Sequence, residues 1–171
     1  MVDNSLAEML IRFKAIEFGD FTLASGAKST YYVDVKTAVT RPELLSAVAG
    51  AVASAYDFDV VAGVAVGGVP LCVATAIAKK KPYAIIRAAE KDHGKKSLVI
   101  GNVKDKDVLL VEDVTTSGGS ALYGINVLRA AGARADRVVT VVDREQGAEA
   151  LLAAHGVTIL PLVRISELLN R

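Results

Sequence analysis

The sequence has one cysteine, no tryptophan and no long apolar run. The single cysteine, Cys72, cannot form an intrachain disulfide, and without a second cysteine a zinc cluster would have few ligands. No apolar stretch approaches the length that spans a bilayer, and the first residues are polar rather than typical of a signal peptide. We therefore expect a soluble, cytoplasmic protein without a membrane partner.

An excess of charge of either sign is also missing. Twenty Lys and Arg residues are balanced by nineteen Asp and Glu residues, and the net charge is +1. Such a chain has no overall field that would attract nucleic acid, and aromatic residues, at 5%, are too few for a stacking platform. What it does have is 52% hydrophobic residues over 171 positions, which is enough for one domain, 1–171, with a large core.

From residue 60 onward, short apolar runs alternate with segments of helical spacing. We predict strands at 60–64, 83–86, 108–111, 137–142 and 157–160, with helices at 70–79, 120–131, 145–155 and 166–169. This alternation indicates right-handed βαβ units. It therefore predicts an α/β fold with a central parallel sheet flanked by helices.

The first sixty residues follow a different pattern. Capping boxes at 5–8 and 40–43 predict helices that run to about residues 14 and 56. Between them we predict a hairpin or tight turn within 16–23, a loop at 24–29 and a strand at 31–35.

A run of glycine and hydroxyl residues follows the predicted strand at 108–111. Glu112 and Asp113 come where that strand is predicted to end, and small residues continue to Ser120. A loop of this kind, placed before a helix at the carboxyl edge of a sheet, binds phosphate through backbone N–H groups. A simple polar turn is the alternative, but the acidic pair favours a ribose diol with Mg²⁺, which prefers oxygen ligands. Neither a Walker motif nor G-x-G-x-x-G occurs.

Three other stretches are candidates for the same site. The glycine-rich loop 63–70 could form a second anion cradle, although such loops are also common for packing reasons. The charged connection between residues 86 and 108, with Arg87, Lys91 and His93, is either a solvated hairpin or a cationic lid over a polyphosphate. Arg144, at a strand end, either clamps a planar acid or pairs with a neighbouring carboxylate.

These stretches together resemble the orotate phosphoribosyltransferases, a branch of the type I phosphoribosyltransferase family. All members of type I share the 108–120 motif. The orotate branch is indicated by Arg87 with Lys91-Asp92-His93-Gly94, by Asp143-Arg144-Glu145-Gln146, and by the segment from Phe21 to Gly26 with Tyr31-Tyr32. The resemblance implies the type I fold with a small N-terminal hood, formed mainly by about 1–35, and a mobile loop at about 87–106.

The resemblance also implies the reaction and the roles of residues. Orotate and 5-phosphoribosyl-1-pyrophosphate (PRPP) give orotidine 5′-monophosphate and pyrophosphate, a step of pyrimidine (UMP) biosynthesis, with Mg²⁺ held mainly by PRPP rather than by protein ligands. The expected catalytic residues are Arg87, Lys91, His93 and Asp113, the first three meeting the pyrophosphate from the neighbouring subunit of a homodimer. The residues expected to bind PRPP and orotate are Glu112 and Asp113 (ribose), Thr116, Ser117, Gly118, Gly119 and Ser120 (5-phosphate), and Thr116 and Arg144 (orotate).

Three positions depart from the family pattern. Ala24 and Ala88 each stand where the family commonly has a lysine, and Val66-Gly67 stands where a Tyr-Lys pair is frequent. Each departure removes a possible contact to a substrate anion. Two alternatives therefore stay open: a PRPP- or nucleotide-sensing regulator without turnover, and a phosphoribosyltransferase for another base. Lys28 or Lys36 could supply a replacement cation.

Overall fold

The computed structural model describes residues 4–22, 26–88 and 97–169. Its helices are α1 (Asn4–Arg12), α2 (Val35–Ala38), α3 (Pro42–Ala55), α4 (Gly68–Lys79), α5 (Gly119–Ala130), α6 (Ala148–Ala153) and α7 (Ile165–Leu169). Its strands are β1 (Ile16–Thr22), β2 (Lys28–Val33), β3 (Val60–Val64), β4 (Tyr83–Ile86), β5 (Val99–Ile100), β6 (Asp107–Thr115), β7 (Arg134–Asp143) and β8 (Thr158–Arg164). Within these ranges, no helix combines the length and the apolar character needed to cross a membrane.

Six strands form the main sheet in the order β5-β4-β3-β6-β7-β8. All neighbouring pairs are parallel except β5 with β4, which is antiparallel at one edge. The predicted α/β fold is confirmed, with the correction that the sheet is mostly rather than wholly parallel. The added strand β5 lies in the connection after β4, where two residues pair with Ile85 and Ile86.

The core has two halves, one on each face of the sheet. Side chains of β6 alternate between them: Leu109 and Val111 pack with α1, α3 and α4, and Val108 and Leu110 pack with α5 and α6. All four are fully buried, which explains why this strand is a continuous apolar run rather than an alternating one. Burial of both faces shows that β6 is a central strand, and its carboxyl end carries the candidate site.

The strands that lead to the site are longer than the sequence pattern predicts. β6 continues to Thr115 and β7 to Asp143, because the two pair with each other through Glu112 opposite Thr140 and Thr115 opposite Asp143. The acidic pair therefore lies within β6 and not beyond it. The segment 144–147 is a turn, so α6 begins later than predicted, at Ala148.

The N-terminal predictions need several corrections. Ser5 lies inside α1 rather than before it, and β2 begins within the predicted loop and ends at Val33. Residues 16–22 form one strand with an irregularity between Phe18 and Phe21, and the hairpin is made by β1 with β2 rather than within 16–23. The proposed capping box at Thr40 is wrong, because the Thr40 hydroxyl donates to the Thr37 carbonyl oxygen and α3 begins after Arg41 without a side-chain cap. The short helix α2 was not predicted.

Candidate active site

The loop between β6 and α5 lines a cleft of about 160 Å³, formed by residues 114–121. Gly118 adopts a φ of 86°, and a Cβ there would lie 3.1 Å from the Ala148 Cα, so only glycine lets the turn approach α6 this closely. The first N–H groups of α5 have no acceptor inside their own helix and border this cleft. Backbone donors and the positive end of a twelve-residue helix make it an anion site of phosphate size.

Glu112 points toward α5 at the end of β6. It is 4% exposed, and its Oε1 accepts a hydrogen bond of 3.0 Å from the Ser120 hydroxyl. Burial, with a smaller contribution from the charge of Asp113, raises the pKa of Glu112 to about 7, against the opposite effects of the Ser120 hydrogen bond and the charge of Lys36. A carboxyl group in this state can accept from or donate to a sugar hydroxyl near neutral pH.

Asp113 points to the other face of the strand, as the two-residue period of a strand requires. A Cβ on Gly67 would lie 2.6 Å from the Asp113 carboxyl, so the glycine leaves the space that this carboxyl fills. Nearby, a Cβ on Gly63 would lie 2.2 Å from the Gly68 carbonyl oxygen. Close packing therefore requires the glycines of the 63–70 loop, which is the alternative to an anion cradle. Gly67 also shapes the site.

Arg144 follows β7 and is held by its backbone. Its N–H donates to the Thr115 carbonyl oxygen at 2.9 Å, and the buried Asp143 carboxylate accepts from the Thr115 hydroxyl at 3.1 Å and from the Glu145 N–H at 3.0 Å. The Arg144 guanidinium lies over the Tyr31 ring, 5.4 Å from its centroid, and its Nε is buried without a hydrogen-bond partner.

The ion-pair alternative for Arg144 is therefore wrong within the described ranges. Asp143 is occupied by Thr115 and by the following turn, and the Glu145 carboxylate accepts from the Ser166 N–H at 2.8 Å. An unpaired, partly buried guanidinium beside an aromatic ring is instead available to a planar anion.

These groups meet in a larger cleft of about 590 Å³. We call its two sides the sheet wall, residues 112–120 with Arg144, and the hood wall, residues 32–36 of β2 and α2. The sheet wall contributes Glu112, Asp113, Val114, Thr116, Ser120 and Arg144, and the hood wall contributes Tyr32, Val33, Asp34, Val35 and Lys36. Both this cleft and the smaller one are bordered by Val114, Thr116 and Ser120, so the two clefts adjoin at this loop.

The loop residues are placed only in part. Arg87 follows β4, where its N–H donates to the Leu98 carbonyl oxygen and its own carbonyl oxygen accepts from the Tyr123 hydroxyl, both at 2.8 Å. These two contacts tie the beginning of the predicted lid, about 87–106, to Leu98 within it and to α5. Lys91 and His93 lie outside the described residues, and so does Ala24.

Two side chains of the site carried no assigned role in the sequence analysis. Tyr31 was assigned to the hood without its contact to Arg144, and Lys36 was named only as a possible replacement cation. Lys28, the other candidate, donates from Nζ to the Thr22 hydroxyl at 2.8 Å on the hairpin and does not line the larger cleft. Cys72 is fully buried, and burial raises the pKa of its thiol to about 12, as expected for a core residue and not for a nucleophile.

The fold and the cleft together define a class: an α/β protein with a glycine-hydroxyl loop, an acidic pair and an arginine in one cleft at the edge of its sheet. The comparisons with known proteins agree. The model of the phosphoribosyl transferase domain matches residues 35–158. The orotate phosphoribosyltransferase of Methanocorpusculum labreanum is 66% identical over 166 residues, which cover 97% of this chain and 98% of the relative.

Solved structures extend the likeness to the whole fold. A crystal structure of Mycobacterium tuberculosis orotate phosphoribosyltransferase matches with a TM-score of 0.83 at 30% identity, covering 96% of this chain and 97% of that chain. Another structure of the same enzyme, in complex with PRPP, matches with a TM-score of 0.76 at 28% identity, covering 96% of each chain. The chain therefore belongs to the phosphoribosyltransferase family, and within it to the orotate phosphoribosyltransferases, as the motifs predicted.

Proposed function

We propose that this protein transfers the 5-phosphoribosyl group from PRPP to orotate, giving orotidine 5′-monophosphate and pyrophosphate in pyrimidine biosynthesis. The observation that carries the proposal is the shared cleft in which the anion loop, the acidic pair and Arg144 meet. Its relatives at 66% and 57% identity are orotate phosphoribosyltransferases over nearly their full length.

PRPP binding is assigned to the sheet wall. The 5-phosphate takes the backbone N–H groups and hydroxyls of residues 116–120, because they surround a pocket of its size at the start of α5. The ribose hydroxyls take Glu112 and Asp113, which are consecutive residues of β6 and both border the larger cleft on its sheet wall. This arrangement fixes the ribose ring at two ends, so the C1 atom is held between the acidic pair and Arg144.

Orotate binding is assigned to Arg144 and Thr116. A guanidinium can bind a planar carboxylate through two parallel hydrogen bonds, and the unpartnered Nε of Arg144 is one such donor. The Tyr31 ring under the guanidinium holds it flat. Orotate is already an anion, so the reaction needs no strong base to activate it.

The departing pyrophosphate is assigned to Arg87, Lys91 and His93. Breaking the bond between C1 and pyrophosphate develops positive charge on the ribose and negative charge on the leaving group. Mg²⁺, when bound to PRPP, would neutralise part of that negative charge. We expect oxygens of PRPP and water to hold the ion, with Asp113 or Glu112 nearby, because Mg²⁺ keeps several waters and prefers the phosphates of a substrate.

We also propose a homodimer that acts in the cytoplasm. Large apolar side chains are exposed on or beside neighbouring elements of one edge of the sheet, namely Val66, Ile77, Tyr83 and Ile100. A second copy that covers this edge would bury them and protect the short strand β5. Sedimentation velocity of the purified protein would report the dimer.

The test is a turnover assay with protein, Mg²⁺, PRPP and orotate. We expect loss of the ultraviolet absorbance of orotate together with one pyrophosphate released per orotate consumed. Uracil, adenine and hypoxanthine in place of orotate should release no pyrophosphate, since none of them presents a carboxylate to Arg144. Binding of PRPP without turnover of any base would instead support the regulator, and turnover of another base would support the second alternative.

A further inference from the structure

Lys36 is built into the cleft by the elements on either side of it. The chain leaves β2 at Val33, and the Asp34 carboxylate accepts a hydrogen bond of 3.1 Å from the Thr37 N–H, which fixes the start of α2. Val35 and Ala38 are buried in the core below α2. Lys36 lies between them in sequence but on the exposed side, and it lines the cleft opposite the acidic pair.

Charge balance in the cleft makes this lysine important. The described charged side chains that line it are Asp34, Glu112 and Asp113, which are acidic, and Lys36 and Arg144, which are basic. Lys36 already acts on the acidic pair, since its charge is one of the influences that lower the pKa of Glu112. Without Lys36, a polyanion such as PRPP would enter a cleft with three carboxyl groups and one cation.

The two cations are not equally available to PRPP. Arg144 is stacked on Tyr31 and is assigned to the orotate carboxylate. Lys36 makes no ion pair with any described residue, so its ammonium group has no competing partner within that part of the chain. The 5-phosphate has its own donors in residues 116–120. The remaining anionic group of PRPP is the pyrophosphate.

We infer that Lys36 binds the pyrophosphate of PRPP from the hood wall and stabilises the negative charge that grows on it as it leaves. The inference rests on the proposed function and adds a residue to it. A lysine suits this task because its ammonium is a compact charge on a flexible stem, able to follow an oxygen that moves away from C1. A guanidinium at this position would keep the charge, whereas alanine would remove it.

The experiment compares Lys36→Ala, Lys36→Arg and Lys28→Ala. Lys28 is the matched control, because it is an exposed lysine on β2, the strand before α2, and its Nζ donates to Thr22 outside the cleft. We expect Lys36→Ala to weaken binding of PRPP and of pyrophosphate alone about tenfold, the loss expected for one charge-assisted contact. Ribose 5-phosphate binding and the KM for orotate should stay within twofold of the parent. Lys36→Arg should recover most of the pyrophosphate affinity, and Lys28→Ala should match the parent.

Calorimetric titration with pyrophosphate and with ribose 5-phosphate separates the possible outcomes. Unchanged pyrophosphate affinity in Lys36→Ala overturns the inference, and so does an equal loss for ribose 5-phosphate, which would place Lys36 on the sugar side. Melting temperatures verify that the variants are folded, as expected for an exposed side chain. Because these titrations need no orotate turnover, a failure of the turnover assay would contradict the proposed function while leaving the role of Lys36 decided by pyrophosphate binding.

Discussion

The two walls of the cleft are built in different ways. The sheet wall is built on the ends of buried strands, where Glu112, Thr115 and Asp143 are at most 4% exposed. The Thr115 hydroxyl donates to Asp143, and the Ser120 hydroxyl donates to Glu112. The hood wall consists of the end of β2, in a two-stranded hairpin, and the start of the four-residue helix α2, and its Tyr32 and Lys36 are exposed. Changes in the sheet wall should therefore affect folding and binding together, and changes in the hood wall should affect binding alone.

The difference matches the two halves of the substrate. Under the proposed function, phosphate and ribose take the sheet wall, where burial and backbone hydrogen bonds fix the donors in place. The hood wall supplies Lys36, which we propose for the leaving group, and the neighbouring Tyr31 stacks on the arginine that we propose for orotate. Substitution of a hood residue can thus alter specificity without rebuilding the core.

The largest effect is expected from Gly63→Ala, directly under the sheet wall. The new Cβ would lie 2.2 Å from the Gly68 carbonyl oxygen, and a Cβ on Gly68 would in turn lie 2.8 Å from the Val111 carbonyl oxygen, so the backbones at this point are too close for a side chain. We expect a loss of about 3 kcal/mol in the free energy of unfolding, measured by urea denaturation. Gly50→Ala is the control, since Gly50 lies in α3 with open space around its Cα, and alanine there should stabilise by up to about 1 kcal/mol.

The next effect concerns the stability of the sheet wall as a function of pH. The pKa of Glu112 is raised from 4.5 to about 7 by burial, so between these values the folded protein binds a proton that the unfolded chain has lost. Stability therefore falls as pH rises from 4.5 to 7, by up to about 3 kcal/mol for this group. Glu112→Gln removes the ionisation. We expect the variant to equal the parent in urea midpoint at pH 4.5 and to exceed it at pH 8.

A second carboxyl shows whether burial is the cause. Glu8 lies on the exposed side of α1, so Glu8→Gln should change the midpoint little at either pH. If Glu112→Gln were no more stable than the parent at pH 8, burial of the ionised Glu112 carboxylate would not reduce stability. The sheet wall and the hood wall would then differ less in their effect on folding. The same variant should bind PRPP less well, because an amide cannot carry the charge that accepts two ribose hydroxyls.

Sequence reasoning succeeded where the backbone pattern itself determines the site. The central strand of the sheet contains the apolar run at 108–111 and the acidic pair, and the glycine loop follows it. Their place at the carboxyl edge of the sheet therefore follows from the apolar pattern and the topology. It failed where tertiary contacts decide. Four residues are too few for α2 to show helical periodicity, and the burial that raises the pKa of Glu112 depends on α5, so neither Lys36 in the cleft nor the state of Glu112 could be read from spacing.

The roles of Arg144 and Tyr31 lie between these cases. A polar residue at a strand end predicted Arg144, but the choice between an ion pair and a free guanidinium required the positions of Thr115, Ser166 and their carboxylate partners. The stacking of Arg144 on Tyr31 joins residues more than a hundred positions apart. A pattern within one segment has no information about such a contact.

The smallest effect is expected at Tyr31, and it tests the hood side of the comparison. Tyr31→Leu removes the ring beneath Arg144 and should raise the KM for orotate about fivefold, since a cation–π contact of this kind contributes about 1 kcal/mol. The KM for PRPP should stay within twofold. Tyr31→Phe keeps the ring and loses only the 3.5 Å contact between its hydroxyl and Gln146, so it should match the parent. If Tyr31→Leu lowered stability and left the KM for orotate unchanged, the ring would only pack the hood. The expectation that changes on the hood side affect binding and not folding would then be wrong.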